Sequence, residues 1–275
     1  MTDSAAETAA VGSARDPAFL RAVQPVLELF ASYFRSEVRG FERLPARGPF
    51  LVVGNHSGGQ IPPDLPVLLT AWWRERGQEE RVFALFHSFL LGMPAVGPLM
   101  ERAGAVEAGR QSAEAILHGG GILIDYPGGD YEVFRPWCRR NRIDFGDRVG
   151  VVRLALRTGV PVVPAVSVGA HETVVVLARG ERIARLLGID RMFRIKVMPL
   201  VFGPPFGIVP GGIPTWPLPA KITVELGDVI DWSSRYGPEA ADDPAIVRTC
   251  YEELTTTMQK TLDRLSDERR FPIFG

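Results

Sequence analysis

The sequence predicts an α/β protein: a mostly parallel central sheet flanked by helices, with an amphipathic helical segment at its N-terminal end. Short apolar runs of strand length, rich in Val, Ile and Phe, recur along the chain. Between them lie segments with apolar residues at helical spacing, and Gly or Pro clusters mark the junctions. Strands separated by helices favour a sheet whose neighbours run parallel under helical layers.

In chain order, residues 1–15 are small, polar and Ala-rich and are expected to form a disordered tail. Residues 16–36 place Leu20, Val23, Val26, Leu27, Phe30 and Phe34 at helical spacing, with a break or kink expected near Pro25. Two readings of this helix stay open: packing on the domain, or lying on a membrane surface. The remainder, 37–275, reads as one domain without internal repeat or linker. Within it PFLVVGNH is a buried strand ending in a turn, and Asp64–Arg76 a helix capped by Asp64. RVFALF and GILIDYP are further strands, with a helix over 113–118 between them that ends at three glycines. Gly150–Thr158 is helical, VPVVPAVSVG a buried strand, 221–226 a late strand and Pro244–Asp267 a closing amphipathic helix.

Composition narrows the function. The chain has 275 residues, 46% hydrophobic and 23% charged, which suits a globular fold with a substantial core. Net charge is -1 and no nucleic-acid motif is present, so no nucleic-acid partner is expected. Cys138 and Cys250 stand far apart without metal-ligand spacing, which points to a reducing compartment. No stretch offers the roughly 20 apolar residues of a spanning helix. A cytoplasmic protein is expected, with peripheral contact to the cytoplasmic membrane face as a further expectation.

The chemistry concentrates at GNHSGGQIPPD, residues 54–64. His56 follows a buried strand, where loops of α/β sheets line the ligand crevice. A neutral imidazole can take a proton from a hydroxyl, and a nearby carboxylate can hold its tautomer. Gly58 and Gly59 permit close approach of a substrate and can offer N–H groups to an oxyanion.

Four segments in order, NHSGGQIPPD, GAVEAGRQSAEAIL, YPGGDYEVF and VPVVPAVSVGAHET, resemble the four blocks of the lysophospholipid acyltransferase-like superfamily. They look most like its monoacylglycerol and type 2 diacylglycerol acyltransferase branch, over about residues 40–175. The resemblance implies transfer of a fatty acyl group from acyl-CoA or acyl carrier protein to the hydroxyl of a glycerolipid or related acceptor. His56 is then the general base and Asp64 its aspartate. Seven residues separate the two here, against four in the common pattern, and Asp64 also suits the helix N-cap. Gly104 and Arg110 match the acceptor-binding positions of the second block, and Arg110 could hold a phosphate or, as an alternative to backbone N–H groups, an oxyanion. In the third block Gly128, Gly129 and Glu132 match a Gly-Gly-x-x-Glu pattern with Glu132 as its acid, and the resemblance implies that the three bind substrate. No Glu follows Pro127, which moves the expected acceptor away from lysophosphatidate. Direct transfer implies no metal and no cofactor, with acyl-CoA as substrate.

Other features carry weaker readings. Arg135, Arg139, Arg140, Arg142, Arg148 and Arg153 face only Asp144 and Asp147 in sequence, and form either a solvated face or a holder for coenzyme A phosphates, with Arg139 and Arg140 foremost. His171 and Glu172 follow the fourth block and either line the crevice or form an ordinary loop. The Pro/Gly-rich apolar stretch 197–220, with Trp216, covers an acyl tunnel, dips into a bilayer surface, or packs as core. Two other function classes compete. AVSVG around Ser167 is close to a nucleophile elbow, as in serine hydrolases acting on lipid esters, although the continuing β-branched residues 173–177 argue against the required helix. A non-catalytic lipid-binding protein is the other.

Overall fold

The structure, a computed structural model, describes residues 11–271 apart from Ser57, Gly59, Gln60, 181–197, Gly212 and Pro214. The chain opens with α1 (Pro17–Tyr33), capped by the Asp16 carboxylate, and passes through β1 (Glu37–Arg39) and β2 (Phe50–Gly54) into α2 (Asp64–Arg76). Then come β3 (Val82–Phe86), the short helices α3 (Ser88–Leu91) and α4 (Gly97–Arg102), β4 (Ala105–Glu107) and α5 (Arg110–His118). Next are β5 (Ile122–Asp125), α6 (Gly129–Val133), α7 (Gly150–Thr158) and β6 (Val162–Val168). β7 (Val175–Ala178), β8 (Leu200–Gly203) and β9 (Gly207–Pro210) precede β10 (Thr223–Leu226) and the closing α8 (Pro244–Asp267).

Seven strands form the main sheet in the order β1-β10-β6-β2-β5-β3-β4. The run from β6 to β4 is parallel throughout, and only the β10–β6 pair is antiparallel. The mostly parallel α/β sheet read from the sequence is therefore the architecture found. Both faces are covered, as parallel sheets require. In β2, Leu51 and Val53 enter the core shared with α5, α7 and α8, whereas Phe50 and Val52 enter the core shared with α1 and α2. That alternation explains why β2 is apolar at every position.

Several local expectations need revision. α1 runs through Pro25 without a break. Pro25 and Arg21 are exposed, so the carbonyl that loses its N–H partner can be hydrated. α1 buries Leu20 and Ala31, and Phe34 beyond its end, against the domain, with Phe30 and Phe34 edge to face at 5.0 Å. Of the 1–15 tail, 1–10 lie outside the described residues. Arg15 is anchored: its guanidinium donates to the carbonyls of Gln78, Glu80 and Val82 at 2.6, 2.7 and 3.2 Å. The stretch 197–220 contains a β-hairpin, β8 and β9, which joins β7 in a second, three-stranded antiparallel sheet. Its prolines fall at the turn and strand end, which concealed the strands from a pattern reading.

Candidate active site

The connection after β2 leaves over the α2 face, and the one after β5 leaves over the α7 face. Adjacent parallel strands whose connections part in this way open a crevice beyond their C-terminal ends. His56 follows β2 into that crevice, and Tyr126 to Glu132 follow β5.

Asp64 meets His56. The imidazole Nδ1 lies 3.0 Å from Asp64 Oδ2 and 3.1 Å from Oδ1. Asp64 is fully buried and is the first residue of α2, not its cap; Pro63 stands at the cap position, and Asp64 Oδ1 also accepts the Leu65 N–H at 2.9 Å. The N-cap reading is thus corrected. The longer connection still brings Asp64 to His56 at the helix start, and Gly58 within it stands in the left-handed region at φ +102°. A Cβ on Gly58 would meet Pro63 Cδ at 2.5 Å, so this turn needs glycine. Gly59 lies outside the described residues.

An ionised Asp64 can only accept, so Nδ1 carries the proton and Nε2 is left with its lone pair for another partner. Burial pulls the His56 imidazolium down, yet the charge and hydrogen bond of Asp64, with Glu132 and Asp125 behind it, outweigh this. The His56 pKa stands above its ordinary 6.5. The Tyr126 ring packs on the imidazole with centroids 4.6 Å apart. Room for it comes from Gly54, whose Cβ would sit 2.3 Å from that ring.

Glu132 does not face a substrate. It is fully buried; Oε2 accepts the backbone N–H of His56 at 2.8 Å, and Oε1 accepts from Arg135 at 2.6 Å. Burial pushes its carboxyl up to about 7 against the pull of Arg135 and of the His56 N–H. The substrate-acid reading of Glu132 is corrected to one of holding the His56 backbone. Gly128 serves the same end, since a Cβ there would strike the Glu132 side chain at 2.4 Å. Gly129 begins α6, and its N–H donates to the Tyr126 carbonyl. Asp125, beneath this cluster, is raised to about 6 by burial, opposed by the Tyr126 N–H and by His56.

The second block is not at His56. Gly104 precedes β4, at the opposite end of the parallel strands, where its carbonyl accepts from Ala84 and its φ is +96°. Its role is to turn the chain into the sheet, and the acceptor-binding reading is corrected. Arg110 starts α5 at the crevice edge, exposed, and among the described residues its charged partner is Glu114 at 3.7 Å. Its strand lies three positions from β2, roughly 14 Å across the sheet. That offset favours backbone N–H groups beside His56 over Arg110 for an oxyanion formed there, and leaves Arg110 open to a substrate group further out.

The arginine run divides. Arg135 is buried on Glu132; Arg148 binds Asp130 at 2.9 Å and the Gly128 carbonyl at 2.6 Å; Arg153 donates to the Ala241 carbonyl. Arg140 lies over the Trp137 ring at 4.7 Å and 3.4 Å from Glu172, so it is engaged within the protein. Arg139 and Arg142 are exposed. The single cationic holder read from the sequence is therefore mostly internal bracing. His171 and Glu172 are buried behind the crevice. Burial, with Arg135, His56, Arg179 and Arg140 adding, holds the His171 imidazolium well below 6.5.

Ser167 lies within β6, paired opposite Val224, with a single 3-10 turn rather than an α-helix after the strand, and among the described residues its buried Oγ has no hydrogen-bond partner. The hydrolase reading is thereby corrected: an elbow nucleophile has to be exposed and bonded to its base. Asn55, not singled out from the sequence, clamps this strand: its Nδ2 donates to the Ser167 carbonyl at 2.9 Å and its Oδ1 accepts the Ser167 N–H at 2.7 Å. A buried amide at a strand end next to a candidate base was the available signal for it. Tyr126 was also passed over, because its partner His56 is distant in sequence, and Arg135 was read only within the arginine run although Glu132 lies three residues before it.

A model described as Acyltransferase matches residues 35–168. An uncharacterized protein of Mycobacterium leprae is 32% identical over 262 residues, covering 94% of this chain and 68% of that protein. The protein of Bos taurus named DGAT1/2-independent enzyme synthesizing storage lipids is 29% identical over 203 residues, 74% of this chain and 54% of that protein. Among solved structures, the 1-acyl-sn-glycerophosphate acyltransferase PlsC of Thermotoga maritima aligns with a TM-score of 0.55 at 18% identity, covering 90% of this chain and 79% of that one, which is a likeness of fold. Together with the four ordered blocks, these matches show that the chain belongs to the acyltransferase family of the lysophospholipid acyltransferase type.

Proposed function

We propose that the protein transfers a fatty acyl group from a thioester, acyl-CoA or acyl carrier protein, directly to the hydroxyl of a glycerolipid or related lipid acceptor. The observation that carries this is the His56 Nδ1 to Asp64 contact of 3.0 Å, which leaves Nε2 as a base in the crevice. In the first step Nε2 takes the acceptor proton as the oxygen attacks the thioester carbonyl carbon. Asp64 stabilises the imidazolium so formed. Backbone N–H groups near His56, rather than Arg110 beyond a strand three positions away, stabilise the developing oxyanion. In the second step the C–S bond breaks, and the departing thiolate recovers the proton from Nε2 as a thiol. The ester and the free thiol are the products.

In this reading the acceptor is a glycerolipid or related lipid other than lysophosphatidate, which the relative named for storage-lipid synthesis supports. Exposed Arg110, Arg139 and Arg142 are the residues left for phosphates of the donor. The test is thiol release from a labelled acyl-CoA with a panel of monoacylglycerol, diacylglycerol and lysophospholipid acceptors. Ester formation with wild type and its loss in His56→Ala are expected. Silence with every acceptor and donor would favour a lipid-binding protein instead.

A further inference from the structure

Arg148 bonds to the turn between β5 and α6, and the bonds continue from there to His56. Its guanidinium Nη1 donates to the Gly128 carbonyl at 2.6 Å and to the Pro127 carbonyl at 3.2 Å, and Nη2 meets Asp130 Oδ1 at 2.9 Å. The Gly128 carbonyl also accepts the Glu132 N–H at 3.2 Å, and the Glu132 carboxylate accepts the His56 N–H at 2.8 Å. Arg148 is thus joined to the backbone of His56 through Gly128 and Glu132. Two successive carbonyls that converge on one point repel each other, and a cation between them offsets that repulsion. The turn has little stiffness of its own, since two glycines form it, and Gly129 stands in the left-handed region at φ +46°. A Cβ on Gly129 would lie 2.9 Å from Arg148 Nη1, so the guanidinium is seated directly on the turn.

The segment that delivers Arg148 carries an independent mark. Phe145 is fully buried, and its carbonyl accepts the Arg148 N–H at 3.3 Å. Asp147 lies between them at φ +57°, a conformation that a residue other than glycine adopts at a cost. Arg248 of α8 holds the Asp147 carboxylate at 3.0 Å. Backbone strain imposed by the surroundings in this way collects where a side chain has to be aimed. Here the side chain it aims is Arg148.

We propose that Arg148 is a positioning residue for the reaction at His56: it sets the 127–129 turn and, through Gly128 and Glu132, fixes where the base stands. This rests on the acyl-transfer reading for the reaction that it serves. Arg148 needs no contact with substrate in this role, unlike the exposed Arg110, Arg139 and Arg142 left for donor phosphates. Its side chain is 39% exposed, so its removal opens no cavity in the core. What the removal frees is the Gly-Gly turn, and Glu132 moves with it. A misplacement of about 1 Å at the reacting groups, caused from a distance, can cost about 10²-fold in rate.

Steady-state kinetics and amide hydrogen exchange on the full chain test the proposal together. Arg148→Ala is expected to lower kcat by about 10²-fold while KM for donor and acceptor stays within about twofold. Arg148→Lys keeps a cation for the carbonyls but not the fork that also holds Asp130, so its kcat should fall between the two. Exchange of the His56 amide should be about tenfold faster in Arg148→Ala, with that of Val52 in β2 unchanged. Thermal melting checks that each variant folds, and Arg148→Lys carries the same exchange test if Arg148→Ala does not. An unchanged His56 amide would overturn the proposal. So would a raised KM for acyl-CoA at unchanged kcat, which would make Arg148 a holder of donor phosphate. Equally faster exchange at His56 and Val52 would overturn it too, as a general loss of structure. If His56 alone exchanges faster while His56→Ala keeps full activity, the positioning by Arg148 stands and the acyl-transfer mechanism falls.

Discussion

The backbone N–H of His56 donates to Glu132 Oε2 at 2.8 Å, while the His56 ring is held by Asp64 at 3.0 Å. One residue is thereby fixed at both its backbone and its side chain by two buried carboxylates from different connections. Glu132 is itself held by Arg135, fully buried beside it. The base thus stands on an ion pair that a substrate need never touch.

Replacing His56 by Ala should lower kcat by about 10²–10⁴-fold, the usual worth of a positioned general base. The rate of wild type should fall on the acid side as His56 protonates, with a midpoint above 6.5 because Asp64 raises it. In Asp64→Asn the raising charge is gone and burial is left, so the acid limb should move to lower pH while the plateau rate drops. A pH profile of kcat/KM reads both; an unmoved limb in Asp64→Asn would detach the pair.

Glu132 makes a prediction about stability. Its carboxyl titrates near 4.5 in the unfolded chain and about 7 in the folded one, so between these values the folded state binds more protons. The Glu132 contribution therefore weakens stability as pH rises from about 4.5 to 7 and is constant above. Thermal melting of Glu132→Gln across this window should show a shallower decline than wild type. Gln can still accept the His56 N–H, so its kcat should exceed that of Glu132→Ala, with KM similar in both.

Arg110→Ala should leave the melting temperature unchanged and raise KM for whichever substrate carries the phosphate, since the side chain is exposed. Arg139→Ala with Arg142→Ala should act likewise on the acyl-CoA KM. Arg140→Ala differs: it strips a partner from buried Glu172 and should cost about 1–3 kcal/mol of stability by denaturant titration. A KM effect of Arg140→Ala without any loss of stability would return it to the donor site.

Ser167→Ala should keep nearly full activity and lie within about 1 kcal/mol of wild-type stability, because its buried hydroxyl makes no hydrogen bond among the described residues. Asn55→Ala, one residue before the base, should cost about 2 kcal/mol, since both backbone groups of Ser167 lose their partners. Loss of activity in Ser167→Ala at unchanged stability would revive the hydrolase reading.

The sequence by itself determined the parallel α/β sheet, the strand that delivers His56 and the helix that begins at Asp64. Those follow from apolar runs and junction residues, which are local properties of the chain. Tertiary structure alone decided what each chemical group faces. Seven intervening residues gave no answer about Asp64 until the loop returned it to Nδ1. Gly104 and Arg110 are close in sequence yet stand at opposite ends of β4, because a strand lies between them. Glu132, which read as an acid for the substrate, turned inward to an N–H and an arginine. Burying a carboxylate demands such partners, and only the folded order of strands supplies them.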